Sequence, residues 1–256
     1  YFWDSGGTIP DLEPSNDHRK IVQYVPYIND DDVHYGHGTH VAGIIVGRRA
    51  TDGRVESTGA ADGVARGAKL AFFDIGDDDG NIWVGPSFLM LETGRTGNGS
   101  DPSHAHLHSA SWGSRGDNYY TFQARNLDNY MHTFDDFLVI AATGNDGAGG
   151  AANTVWSPST FKNGIAVGAS HSCCEDLADG QLGPAYVASF SSRGPTQDGR
   201  MAPHVVAPGS YILSSGAVPS RVGECDEGVP TPGNARGGLL SLEGTSMAAP
   251  VVSGTA

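Results

Sequence analysis

The chain has 256 residues, enough to bury one sizeable core, so a single domain over 1–256 is expected. Apolar content of 38% with 37 Gly and 14 Pro describes a globular, loop-rich protein. A net charge of −14 opposes nucleic acid and anionic membrane surfaces, and no apolar run reaches the ~20 residues that span a bilayer, so a membrane link is expected only through regions outside this stretch.

In chain order, Tyr1 stands where an initiator Met would, and no signal peptide follows. "YFWDSGG" then brings Asp4-Ser5-Gly6 close to the start. "HVAGIIVG" (40–47) predicts a helix and "KLAFFDI" (69–75) a buried strand. "NYYTFQARNLDNYMHTF" (118–134) has apolar positions at helical spacing, and "FLVIAAT" (137–143) and "GIAVGAS" (164–170) predict two more buried strands. "GTSMAAPVVSGTA" stops where an apolar helix begins, so a piece of a longer chain, cut at both ends, is expected. Alternating strands and helices predict an α/β fold of three layers, a mainly parallel sheet covered on both faces. Stretches 171–185 and 216–238, rich in Gly, Pro and acids, are expected to be surface insertions.

The Asp30-Asp31-Asp32 and Asp77-Asp78-Asp79 runs raise calcium binding, but the glutamate that closes an EF-hand loop is missing, and solvated turns are the better expectation. Cys173, Cys174 and Cys225 have no metal-ligand spacing. Neighbours in sequence bridge only with strain, so the choice is between a bridge from one of them to Cys225 and three free thiols.

Three short stretches carry chemistry. "GHGTHVAGII" (36–45) sets His37 between glycines just before a helix, where a backbone or ligand can approach the ring. "GTSMAAP" (244–250) puts Ser246 at a helix N-terminus with its hydroxyl exposed and its N–H free to donate. "AATGNDG" (141–147) ends an apolar strand at Gly144-Asn145, where a side-chain amide can donate to a developing oxyanion. Each has a bland reading: a structural histidine, a helix cap, a turn asparagine. One shared site explains all three at once.

In this order the three motifs resemble the subtilisin-like serine peptidases, of the branch with "FSSRGP" (190–195) that includes large eukaryotic subtilases, some fused to transporters. "SWG" (111–113) resembles the substrate-binding strand of the family and "VVAPG" (205–209) one of its late loops. The resemblance implies an endopeptidase with His37 as general base, Ser246 as nucleophile and Asn145 as oxyanion donor. No cofactor and no metal-binding site residue is expected, and calcium dependence stays open. It implies an extracellular or secretory setting, with polypeptides as substrates and a propeptide or peptide inhibitor as further partners. Ser111, Trp112, Gly113, Ala142, Thr143 and Gly144 would bind substrate. With no acidic residue among them or at Ala141, cleavage after large apolar residues is expected. "APH" (202–204) stands where relatives have Lys-Pro-Asp, and Ala110 where an Asn is frequent.

The rival readings are a catalytically impaired relative that only binds peptide or partner protein, and a metal scaffold using His104, His106 and His108, which in a strand would share one face. Asp4 is either the triad acid, in accepted chain order, or a surface-turn residue with the acid upstream. The second is the expectation: three bulky aromatic residues precede Asp4 where a crowded parallel strand favours Val, Ile and Ala. "YFWDS…HRKIVQY" also resembles a segment downstream of the acid.

Overall fold

Runs of Val, Ile and Ala too short for helices, each followed by a helix or a turn, pair here as parallel strands. The structure, a computed structural model, describes residues 2, 14–30, 36–51, 54–55, 61–77, 79–97, 104–172, 183–217 and 239–256. Asp4, Asp31, Asp32, Asp78, the three cysteines and most of the 171–185 and 216–238 stretches lie outside the described residues. The chain clusters into two compact units, Tyr1–Ala105 with Leu213–Leu240, and His106–Ile212 with Ser241–Ala256.

In the first unit β1 (Ile21–Pro26) pairs in parallel with β4 (Leu70–Asp74), the register shifting between Ile21 and Gln23. The turn before β1 is tied by His18, whose Nδ1 accepts the N–H groups of Lys20 and Ile21 at 3.1 and 2.8 Å. Lys20 turns its ammonium onto the carbonyls of Arg66 and Ala68. Burial, reinforced by Arg19 and Arg48, pushes its pKa down to about 8. β4 is half-buried along its whole length, not buried as its apolar run predicts. Among the described residues it has one strand neighbour. The ribbon β2 (Ala50–Thr51) with β3 (Arg54–Val55) is antiparallel, and helices α1 (His37–Val46) and α2 (Ser87–Thr96) pack against β4. The Asp77 turn is a polar loop, as expected: its carboxylate accepts the Asp79 and Asn81 N–H groups at 3.0 and 2.8 Å and the Trp83 indole N–H at 2.7 Å.

The second unit holds a four-stranded parallel sheet in the order β5 (Leu107–Ala110), β6 (Leu138–Ala142), β7 (Ile165–Ser170), β8 (Val205–Pro208). Side chains alternate across it. Ile140, Ala142, Val167, Ala169 and Ala207 form one core with Ala248 and Ala249 of the last helix, α4 (Thr245–Thr255). Burial of Ile140 and Val167, both with no exposed surface, contributes about 1.5–3 kcal/mol each. The alanines let α4 lie close over the sheet. Helix α3 (Phe122–Thr133), against β6, starts four residues later than its periodicity predicts. Asn118 is used in a turn, donating to the Pro195 carbonyl, and Thr121 is the cap, accepting the Ala124 N–H at 3.3 Å. His204, in the departing "APH" stretch, binds the start of β7: its N–H donates to Ala166 O, and its Nδ1 accepts the Ala166 N–H. The remaining pair, β9 (Ile212–Ser215) with β10 (Leu239–Leu242), is two-stranded. The class is the α/β class expected, with a parallel sheet at its centre.

Candidate active site

Ligands of open α/β sheets bind beyond the carboxyl ends of the strands. Ser111–Gly113 follow β5 there and Thr143–Asn145 follow β6, each just past the end of its strand and not within it. The N-terminus of α4 meets them. Ser246, second residue of that helix and half-buried, donates its hydroxyl to Ser111 O at 3.3 Å, while Ser111 Oγ donates to Ser246 O at 2.8 Å. The Ser246 N–H has no acceptor among the described residues, as the start of a helix allows.

Asn145 is held by Thr245, which the sequence motif does not single out. Its Oδ1 accepts the Thr245 N–H at 2.9 Å and the Thr245 hydroxyl at 3.0 Å. Thr245 Oγ1 in turn accepts the Gly144 N–H at 3.0 Å. With the amide oxygen taken, Nδ2 lies beside Gly244. Gly244 has φ 150° and ψ 163°, a backbone state that is essentially glycine-only. The "FSSRGP" loop supports the same turn: Phe190 O accepts the Gly147 N–H, and Ser192 donates its N–H to Gly144 O and accepts the Asp146 N–H on Oγ.

The wall residues divide. Trp112 and Gly113 make no backbone hydrogen bond among the described residues, which leaves an edge open to an extended peptide. Ala142 and Thr143 are buried, and the Thr143 hydroxyl is spent on Val167 O. Gly144 has φ 99°, and a Cβ there would collide with the Trp156 indole. Trp156 donates its indole N–H to Asp146 at 2.8 Å, and Asp146 also takes both Nε and an Nη of Arg115. The Arg115 hydrogen bonds, with help from Trp156, hold the Asp146 carboxyl below the usual carboxylate range. No sequence signal marked Trp156, Asp146 or Arg115, because their link depends on chain segments about 30 and 10 residues apart meeting in space.

His37 belongs to the first unit. It is the first residue of α1, which begins three residues earlier than its apolar pattern predicts. Gly36 before it has φ 64°, and the Gly36 carbonyl accepts the His40 N–H at 2.9 Å. His37 is half-buried, whereas His40 is buried, with Nε2 on Leu240 O.

The histidine row is not one strand face, because only His108 lies in β5. His104 Nδ1 bonds the Arg95 carbonyl, His106 faces Asp136, and no group of three potential metal ligands occurs among the described residues. His108 Nε2 is buried without a partner among the described residues, and burial pushes its imidazole down to about 4. The ordinary value is 6.5, so the unfolded chain takes up the proton first as pH falls. The stability tied to neutral His108 is complete above 6.5 and is lost between 6.5 and about 4, amounting to about 3 kcal/mol. Urea midpoints at both ends of that window, for the native protein and His108→Leu, check this; equal pH sensitivity of the two would refute it.

Residues 4–256 match the subtilase family, the family of serine-type endopeptidases known as peptidase S8. The chain belongs to the subtilase family. Among curated relatives, the tagD serine protease/ABC transporter B family protein of Dictyostelium discoideum is 28% identical over 98% of this chain, which spans only 17% of that relative. The serine protease AprX of Bacillus subtilis is 28% identical over 96% of the chain and 53% of its own length. Among solved structures, sphericase shares 25% identity at a TM-score of 0.56, over 96% of this chain and 67% of that one. The resemblance to transporter-fused subtilases is therefore found in full-length comparison of the chain.

Proposed function

We propose that this subtilase chain is a serine endopeptidase in which Ser246 attacks the scissile carbonyl, His37 takes its proton, and Asn145 Nδ2 with the Ser246 N–H receives the oxyanion. The observation that carries this reading is the Thr245 clamp. It fixes a side-chain amide donor next to a serine whose own N–H has no acceptor among the described residues. Such donors are effective because they are already aimed before charge develops. The free backbone of Trp112 and Gly113 suits an extended polypeptide, whether substrate, propeptide or peptide inhibitor. The reading treats 1–256 as one catalytic domain and sets its action outside the cytoplasm. No described helix is long and apolar enough to cross a membrane.

A fluorophosphonate probe tests the reading directly. The expected result is stoichiometric labelling that maps to Ser246 by peptide mass spectrometry and is lost after denaturation. A folded protein that stays unlabelled, or labels at another serine, would remove Ser246 from the nucleophile's role.

A further inference from the structure

We propose that Trp156 sets substrate choice: its indole fills the space between the Ser111–Gly113 and Ala142–Gly144 stretches, so cleavage follows small, uncharged residues such as Gly, Ala and Ser. The inference rests on the endopeptidase reading above and narrows its substrate class. A peptide paired along Trp112 and Gly113, with its carbonyl at Ser246 and Asn145, directs the side chain of the acyl residue between these neighbouring stretches, which continue the adjacent strands β5 and β6.

In the sequence, Gly113 and Gly144 promise room there for a large apolar side chain. The structure shows the room taken. A Cβ on Gly144 would run into Cγ, Cδ2 and Cε2 of Trp156, and a Cβ on Gly113 would come to 3.4 Å from Trp156 Cβ and 3.6 Å from Cε3. One indole thus lies against both glycines: the missing side chain of Gly144 makes its space, whereas a Cβ on Gly113 would meet the Ser157 carbonyl first, at 2.8 Å.

The Trp156 backbone is tied at two points and its ring at a third. The Trp156 N–H donates to Thr143 O at 2.9 Å, the next residue accepts the Ser114 N–H at 2.8 Å, and the ring N–H is held by Asp146 at 2.8 Å. The ring therefore belongs to the wall. Charge selects in the same direction. Asp146 is the acidic residue nearest this gap in sequence, but its oxygens already take Arg115 Nε at 3.0 Å, Arg115 Nη2 at 2.8 Å and the indole N–H. A substrate Lys or Arg would have to compete with Arg115, an exposed but bidentate partner already in place.

The test uses two peptide phosphonates that differ only in Ala or Phe at the residue occupying the gap, with reaction at Ser246 followed by mass. The Ala reagent should react about 10²-fold faster or more, the discrimination available when a filled site excludes a ring. Trp156→Ala should abolish that preference by accelerating the Phe reagent, whereas Trp156→Phe, which keeps a ring in place, should retain it. Equal rates, or a faster Phe reagent, on the native protein overturn the proposal. So does an unchanged preference in folded Trp156→Ala. A second arm involves no chemistry: calorimetric binding of product peptides ending in Ala or Phe to the Ser246→Ala protein. Tighter binding of the Ala peptide supports the plugged gap, and equal or tighter binding of the Phe peptide overturns it. Failure of both phosphonates to label a folded native protein sinks the endopeptidase reading itself, and the calorimetric arm still decides the role of Trp156.

Discussion

Ser246→Ala should lower peptide turnover by about 10⁶-fold, a magnitude carried over from the nucleophile of subtilisin, a member of the same family. The fold should survive. The Ser246 hydroxyl makes one long hydrogen bond, to Ser111 O at 3.3 Å. The start of α4 is anchored independently, by Gly244 N–H on Gly209 O at 2.8 Å and by the Thr245 contacts with Asn145. Losing one long, partly exposed hydrogen bond costs about 1 kcal/mol or less, which thermal unfolding of the same preparation should confirm. Activity within tenfold of the native protein would assign the nucleophile elsewhere.

Asn145→Leu should reduce kcat by about 10²–10³-fold, again a magnitude taken from the oxyanion asparagine of subtilisin. The effect belongs on kcat because the donor meets full negative charge only in the transition state. Leu also leaves the buried Thr245 N–H and hydroxyl without their Asn145 acceptor, so thermal unfolding of the variant is measured alongside its rates. Initial rates over a range of substrate concentration separate the two parameters. A raised KM with kcat unchanged would show that Asn145 only binds substrate.

The second unit was far more legible in the sequence than the first. β6 and β7 lie within one residue of "FLVIAAT" and "GIAVGAS", since a strand buried on both faces is apolar throughout. β1 carries no clear strand signal because Ile21–Pro26 interrupts its apolar residues with Gln23 and ends on proline. The buried face of α2 uses Ser87 and Thr93 beside Met90 and Leu91, which gives no clear helical period. β4 shows the opposite error: "KLAFFDI" reports how apolar a strand is, not whether both its faces are covered. At the site, His37, Asn145 and Ser246 stand out because glycines flank them in short motifs. Thr245, Asp146 and Trp156 gain their roles from partners far along the chain, and no local pattern encodes a partner. Gly113 and Gly144 were legible as glycines, but the use of their space was not.

The Thr245 clamp has a kinematic consequence. Thr245 precedes Ser246 in the chain, so the Asn145 amide is referenced to the backbone that carries the Ser246 hydroxyl. When the end of α4 shifts or rocks, Asn145 is carried with it through two hydrogen bonds, and Gly144 through a third. The spacing of Asn145 and Ser246 is therefore set by direct hydrogen bonds to the residue between them, and not only through the surrounding loops.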